Sequence, residues 1–326
     1  MPPSREPGTE PAARQRWAAL DDLRGLAILV MVPVNVAAPF PRIPAWFKHA
    51  PADGLTLADF VVPVFLFSLG LSAALSFGAR RERRGLGRTF LHALLRSAVL
   101  FAFGTAGILL ADPGARWEIL QMLGATGLFS FFFLLLPPWP RLASAAVLLA
   151  MVEVLRPLGL GGLMLQWYGS GIAGPWGTFS LSFFAILASA LGELIRDSTP
   201  RRRLAVSSAM AGILCAGGLC ALPFFPFSKH LLSLSYVIFT CGAAAALLAV
   251  LVLWREILRW PLPLLGSLGR NPLLIYMLHA VLGVAVQAVL GPRAAAGVVA
   301  AACLVVLGAC LAAALVLDHR KLVLKL

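Results

Sequence analysis

Residues 46–60 read WFKHAPADGLTLADF, and from Phe60 the chain runs on as FVVPVFLFSLGLSAALSF to Phe77. Three ionisable groups, Lys48, His49 and Asp59, thus stand just before an apolar run long enough to cross a hydrocarbon core of roughly 30 Å as a helix. Reading 57–77 as a membrane span decides the fold, because the same kind of block recurs along the chain. The expected spans are 23–41, 57–77, 93–111, 119–136, 142–156, 177–195, 204–225, 233–253, 271–290 and 294–317. None shows the strict alternation of a barrel strand, and only helices or closed barrels satisfy their backbone in lipid. The predicted fold is all-α, a polytopic helical membrane bundle of about ten transmembrane helices. The fifth span is short, and the Gly- and Trp-rich stretch 157–176 reads either as an interfacial loop or as a re-entrant segment.

Composition agrees. The 326 residues are 60% hydrophobic and 13% charged, against roughly 45–50% and about 25% in soluble domains, and the mean hydropathy is +0.88. The net charge of +13 invites a nucleic-acid reading, but its distribution excludes one. Twenty of the cations fall on one set of loops, including the 80–96 cluster and Arg141, Arg196, Arg201–203, Arg255, Arg259 and Arg270. Only Arg42, Lys48, Arg116, Arg156, Lys229 and Arg293 fall on the other, and Arg24 lies at the start of the first span. The positive-inside rule then places both termini in the cytoplasm and the 42–56 loop outside. Residues 1–16 are expected to be a disordered cytoplasmic tail, 17–317 the transmembrane domain and 318–326 a second cytoplasmic tail. No small-residue cleavage site follows the basic start, so the first span reads as a retained helix.

Charged and polar groups inside spans tend to face a bundle interior or a water-filled path. Asp21 and Arg24 share a helix face. They read as a salt bridge at the cytoplasmic edge or as an Arg held by Asp to receive a phosphate-bearing substrate. Asn35 is near the outer end of the first span, where an amide either bonds to a neighbouring helix or serves a site. Asp59 reads as a first-turn carboxylate or as a partner that orients a histidine. His49 lies between them in sequence, so two helix ends bring an amide, an imidazole and a carboxylate together, and imidazole is the usual general base near neutral pH. His279 has Tyr276 one turn earlier and Asn271 two turns earlier, and is balanced between structural bonding and site duty. His92, His319 and the loop residue His230 read as solvated or surface groups. Cys215, Cys220, Cys241, Cys303 and Cys310 lack metal-ligand spacing and read as small hydrophobes. No HExxH, P-loop or GxSxG motif is present, so zinc, P-loop and α/β-hydrolase chemistry lack support.

Several of these stretches together resemble a known family. The segments RWAALDDLRGLAILVMVPVN and FKHAPADGLTLADFVVPVFLFSLG, followed by WEILQMLG, SKHLLSLSYVIFTCG and GRNPLLIYMLH, look like those of heparan-α-glucosaminide N-acetyltransferase and its bacterial relatives, from about residue 16 to 285. The resemblance implies transfer of an acetyl group from cytosolic acetyl-CoA, across the membrane, to the amino group of a sugar on the far side. It makes His49 the active-site histidine and Asn35 the catalytic amide; His49 then acts either as general base or as carrier of the acetyl group, and Asp59, if within reach, holds its tautomer. Arg24, Asp21 and Gln121 become candidates for binding acyl-CoA, while His279, Tyr276, Asn271, Lys229, Ser233 and Ser235 are further site candidates. No metal is implied. The expected partners are acyl-CoA, an amino sugar or related glycan and the lipid bilayer, without nucleic acid and with a homodimer left open. The expected location is a bacterial plasma membrane.

Two positions depart from the family pattern. Pro51-Ala52-Asp53 follows KHA where the family has Trp-Asn, and Met122 follows Gln121 where it has Arg. The family's large lumenal domain also has no counterpart here, so heparan sulfate itself is not the expected acceptor. The competing expectation is a transporter of an amino sugar or similar solute, because interior polar groups and a broken segment suit that fold too.

Overall fold

The computed structural model describes residues 17–50, 53–111, 117–167 and 172–324. The expected tail 1–16, Pro51, Ala52, Arg116, the middle of the 157–176 stretch and Lys325 lie outside these residues. Among them every regular element is helical: α1 Ala18–Ala37, α2 Val61–Ala111, α3 Ile119–Phe131, α4 Pro138–Leu155, α5 Gly161–Leu165, α6 Gly177–Ile195, α7 Pro200–Ala221, α8 Leu234–Val252, α9 Pro263–Arg270, α10 Pro272–Leu290 and α11 Ala296–His319.

Among the described residues, seven helical segments are long and apolar enough to cross a membrane, and the protein is an integral membrane protein. Seven is fewer than the ten read from the sequence, for identifiable reasons. The α1 helix carries Asp21, Asp22 and Arg24 near its start, the 119–135 run is short, and α2 counts once although it contains two arms. The break in α2 is Gly85, at φ 76°, a left-handed conformation that glycine adopts without steric penalty. Arg80 Nη1 lies 2.9 Å from His92 Nδ1; twelve residues of straight helix would separate them by about 18 Å. The two arms therefore fold back on each other about Gly85. Arg and Glu are good helix formers, so the charged stretch RRERRGLGR, which reads as a loop, is helical on both sides of that glycine.

Two further expectations are revised. The fifth span is not short. It starts at Pro138, with proline in the first turn, and continues through a wide turn at Arg156–Leu160 into α5. Arg156 fixes this bend through Glu153 at 2.8 Å and through the carbonyls of Leu231 (2.7 Å) and Leu232 (3.2 Å). The α9 helix was not anticipated, being too short to register as a span. It packs on α1 where Gly25 meets the Leu265 backbone and Gly269 meets that of Asp21, so close that a Cβ at either glycine would collide with main chain.

The core has two parts that share α1. One joins α1, α2, α4, α6 and α8 around Leu66, Phe67, Phe184, Leu191, Tyr236 and Leu248. The other joins α1 to α9, α10 and α11 around Ile28, Met31, Leu268, Ile275, Val299 and Val306. Helix α6 lies deepest, with 83% of its apolar window buried, while α4, α7, α10 and α11 present most of theirs outward. Without a hydrophobic driving force in lipid, close backbone approach at small residues carries the packing. Gly70 meets the Ala185 backbone between α2 and α6, and Gly218 and Gly242 admit Phe239 and Cys215 between α7 and α8.

Candidate active site

The start of α2 builds the site. Asp59 sits in the tight turn Leu57–Phe60 that leads into α2, and is 1% exposed. Its Oδ2 accepts the Thr56 N–H at 3.0 Å, the Thr56 hydroxyl at 2.9 Å and the Ala50 N–H at 3.3 Å. Its Oδ1 lies 2.8 Å from His49 Nδ1 and 3.8 Å from Lys229 Nζ. Both sequence readings of Asp59 therefore hold at once: one oxygen caps the helix start and the other orients the histidine. A carboxylate with this many donors acts only as an acceptor. His49 consequently donates from Nδ1 and leaves the Nε2 lone pair free, the tautomer a general base requires. The His49 side chain is 38% exposed, so that lone pair is accessible.

Behind Asp59 the α7–α8 connection supplies a second layer. The Tyr236 hydroxyl, fully buried, donates to the Asp59 main-chain carbonyl at 2.8 Å. His230 Nε2 lies 3.2 Å from the Ala50 carbonyl, so it is tied to the site and is not the plain loop residue expected. Ser233 Oγ accepts from Ser228 N at 3.0 Å and lies 3.3 Å from Ser235 Oγ, and Ser235 bonds to the Phe225 carbonyl. These serines shape the loop that presents Lys229, which is buried. Burial, partly offset by Asp59, pushes the Lys229 ammonium down to about 8. Burial also lowers His230 from its ordinary value.

His49 and Asn35 line one cavity of about 1440 Å³ that runs along α1. Arg24 and Asn35, both on its wall, are separated by about 16 Å of helix axis at 1.5 Å per residue. At the His49 end the wall is apolar, from Met31, Val34, Ala58, Val61, Val62 and Phe65; the other end carries Arg24, Arg80, Arg96, Arg203, Arg255 and Arg270. Arg24 bonds Asp21 at 3.2 Å and also contacts the Ser72 hydroxyl across α2. His92 faces this end beside Arg80, which corrects its reading as a solvated group. Asn271 grips the returning chain, with Nδ2 donating to the Leu322 carbonyl at 2.9 Å and Oδ1 accepting from Leu324 N at 2.8 Å. The segment after His319 is therefore docked and is not a free tail as far as Leu324.

Asn35 does not bond to His49. Its Nδ2 lies 3.1 Å from His279 Nε2. The ring of Tyr276 stacks edge-on against His279, and its hydroxyl donates to Glu118 Oε1 at 2.6 Å. Glu118, at the start of α3, was not singled out in the sequence; its position in WEILQMLG was the available signal. Gln121 faces away from the cavity. Its Nε2 donates to Thr105 at 3.0 Å and its Oε1 accepts from Glu118 N at 3.0 Å, while the adjacent Met122 forms cavity wall. Among the described residues no group of three or more His, Cys, Asp or Glu side chains could hold a metal ion.

Comparison with known proteins covers the N-terminal part of this site. The sequence model of the family "Heparan-alpha-glucosaminide N-acetyltransferase, catalytic" matches residues 16–189, just over half of the chain and the part that contains Arg24, Asn35, His49 and Asp59. Heparan-alpha-glucosaminide N-acetyltransferase of Mus musculus is 31% identical over 145 residues, 39% of this chain and 21% of the mouse protein. The Homo sapiens protein of the same name is 32% identical over 128 residues, 34% of this chain and 18% of the human protein. The match thus spans about a fifth of the length of these relatives. A family match over half of the chain, which includes the helix ends that carry Asn35, His49 and Asp59, makes this protein a member of the heparan-alpha-glucosaminide N-acetyltransferase family.

Proposed function

We propose that this protein is a membrane acetyltransferase that moves an acetyl group from acetyl-CoA to the amino group of an amino sugar or related glycan. The observation that carries the reading is the single cavity with an arginine-rich end and a His49–Asp59 end. Coenzyme A carries a diphosphate and a 3′-phosphate on one end and the thioester on a long flexible arm. Guanidinium groups suit the first, and a passage of this length with an apolar wall at the His49 end suits the second. Arg24, anchored by Asp21, is the leading phosphate contact.

The chemistry follows from the atoms at the far end. The free amine attacks the thioester carbon, an N–C bond forms and the carbonyl oxygen gains negative charge. His49 Nε2 takes the proton from the attacking nitrogen, and Asp59 stabilises the resulting imidazolium through Nδ1. An N–H of Asn35 stabilises the oxyanion. Collapse breaks the C–S bond, and the imidazolium returns its proton to the departing thiolate, giving the acetamide and CoA–SH. A positioned base accounts for roughly 10²–10⁴-fold of the rate.

In the membrane we place the arginine-rich end in the cytoplasm of a bacterial plasma membrane and His49 on the outer face, with ten crossings. The loop charge asymmetry and the polarity of the cavity support this orientation. The test is release of free CoA by the purified protein in lipid, with and without glucosamine, beside His49→Ala. Acceptor-stimulated release that the variant loses supports the transferase. Silence with a panel of amine and hydroxyl acceptors, together with uptake of an amino sugar into vesicles, would replace it with the transporter.

A further inference from the structure

Asn35 presents two chemically opposite ends, a carbonyl oxygen and an NH₂ group, and which end faces the cavity decides what it offers a substrate. Its partner settles this. Nδ2 lies 3.1 Å from His279 Nε2. His279 is 3% exposed and is not part of the cavity wall, whereas Asn35 is. On the far side of the imidazole, Nδ1 is buried with no hydrogen-bond partner among the described residues. No carboxylate pairs with this ring among the described residues.

Because Nε2 faces an NH₂ group, which can only donate, the neutral ring carries its proton on Nδ1 and offers Nε2 as an acceptor. It then accepts one N–H of the Asn35 amide and fixes the orientation of the whole group. The second N–H of the same NH₂ is left unengaged. The reverse orientation would set the Asn35 carbonyl oxygen against the Nε2 lone pair, two acceptors face to face. The ring itself is held in place, because Tyr276 packs edge-on against it at 5.0 Å and is anchored by Glu118 at 2.6 Å. Nothing in the family match reaches this residue, since the matched segment ends at 189.

We propose that His279 is a positioning residue that sets the Asn35 amide with an N–H directed to the acyl carbonyl, and that it acts on the reaction only through Asn35. The inference rests on the acyl-transfer reading of the cavity. Pre-aimed donors work because they need no reorientation as charge develops.

The test is a double-mutant cycle in lipid-reconstituted protein, with acetyl transfer from acetyl-CoA to glucosamine as readout. His279→Leu removes the acceptor and is expected to lower kcat about 10²-fold, with the KM for acetyl-CoA within about twofold. His279→Gln, whose side-chain oxygen reaches the place of Nε2, is expected to recover most of that loss, and His279→Asn, whose oxygen falls short, is not. In an Asn35→Ala background, His279→Leu is expected to cost nothing further, because two changes that act through one contact do not add. Multiplicative losses, or Leu, Gln and Asn variants that fall together with their thermal midpoints, would overturn the proposal in favour of a purely structural histidine. If His279→Leu does not fold, the Gln and Asn variants alone and in the Asn35→Ala background decide between the same results. Loss of activity in His49→Ala alongside multiplicative His279 losses would sink this inference alone. No acetyl transfer by the unmodified protein to any amine or hydroxyl acceptor would sink the acyl-transfer reading itself.

Discussion

Lys229→Met offers a sharp test of the electrostatics around His49. His49 Nδ1 and Lys229 Nζ lie 2.8 Å and 3.8 Å from the same Asp59 oxygen, so they are no more than about 6.6 Å apart. Lys229 is protonated below about pH 8 and there opposes a second positive charge on the imidazole. At that separation and an effective dielectric of about 20 the repulsion is ~2.5 kcal/mol. Because the His49 side chain is 38% exposed, solvent screening reduces this to ~1 kcal/mol. Methionine fills the space of the lysine stem without its charge. Asp59 remains ionised through its donors from Thr56 and Ala50. The acidic limb of the kcat/KM profile for acetyl transfer is therefore expected to move up by about 0.7 pH units. Assaying both proteins from pH 5 to 8 in matched buffers measures it. An unmoved limb, or one displaced to lower pH, would refute the shared-carboxylate arrangement.

Other outcomes follow from neighbouring contacts. Asp59→Asn keeps one acceptor oxygen, which the Thr56 and Ala50 donors hold, so its NH₂ faces His49 Nδ1 and favours the wrong tautomer, while Lys229 stays buried without its counter-charge; a loss of activity of about 10²-fold or more and a lower thermal midpoint are expected together. Arg24→Ala is expected to weaken CoA binding by about tenfold or more, the scale of one charge-assisted hydrogen bond, measured by titration calorimetry in detergent. Gly269→Leu forces a side chain into the α1–α9 crossing at Asp21 and is expected to destabilise the fold by about 1–3 kcal/mol, read from thermal unfolding. Stability should also depend on alkaline pH. Lys229 lies near 8 in the fold against an ordinary 10.5, so the unfolded chain binds the extra proton between these values. Burial of the ammonium opposes folding below pH 8, and that penalty fades as pH rises from 8 towards 10.5; the Lys229→Met protein should lack this rise.

How much of this was legible in the sequence depends on the range of the contact. Asp59, ten residues from His49, shows its pairing through local spacing and through its place ahead of an apolar run. Helix α6 was placed with its observed bounds because an uninterrupted apolar block between a Trp-Gly turn and a charged turn leaves little choice. The hairpin at Gly85 was not legible, since good helix formers flank the glycine and only the Arg80–His92 contact reveals the reversal. The contacts that complete the site were also hidden. Lys229 reaches Asp59, and His279 reaches Asn35, from elements separated by more than a hundred residues, and no periodicity encodes which faces meet. Gln121 shows the opposite failure: a motif position suggested a ligand contact, while the helix start required its amide for Glu118.

The central claim is that one cavity connects an arginine-lined end to His49, so that donor and acceptor meet from opposite sides of the membrane. The measurement that tests it most directly seals radiolabelled acetyl-CoA inside proteoliposomes and supplies glucosamine only outside. The account predicts labelled N-acetylglucosamine in the external medium, absent with His49→Ala. Label transferred only when glucosamine is enclosed with acetyl-CoA would contradict it, because donor and acceptor would then be using the same face.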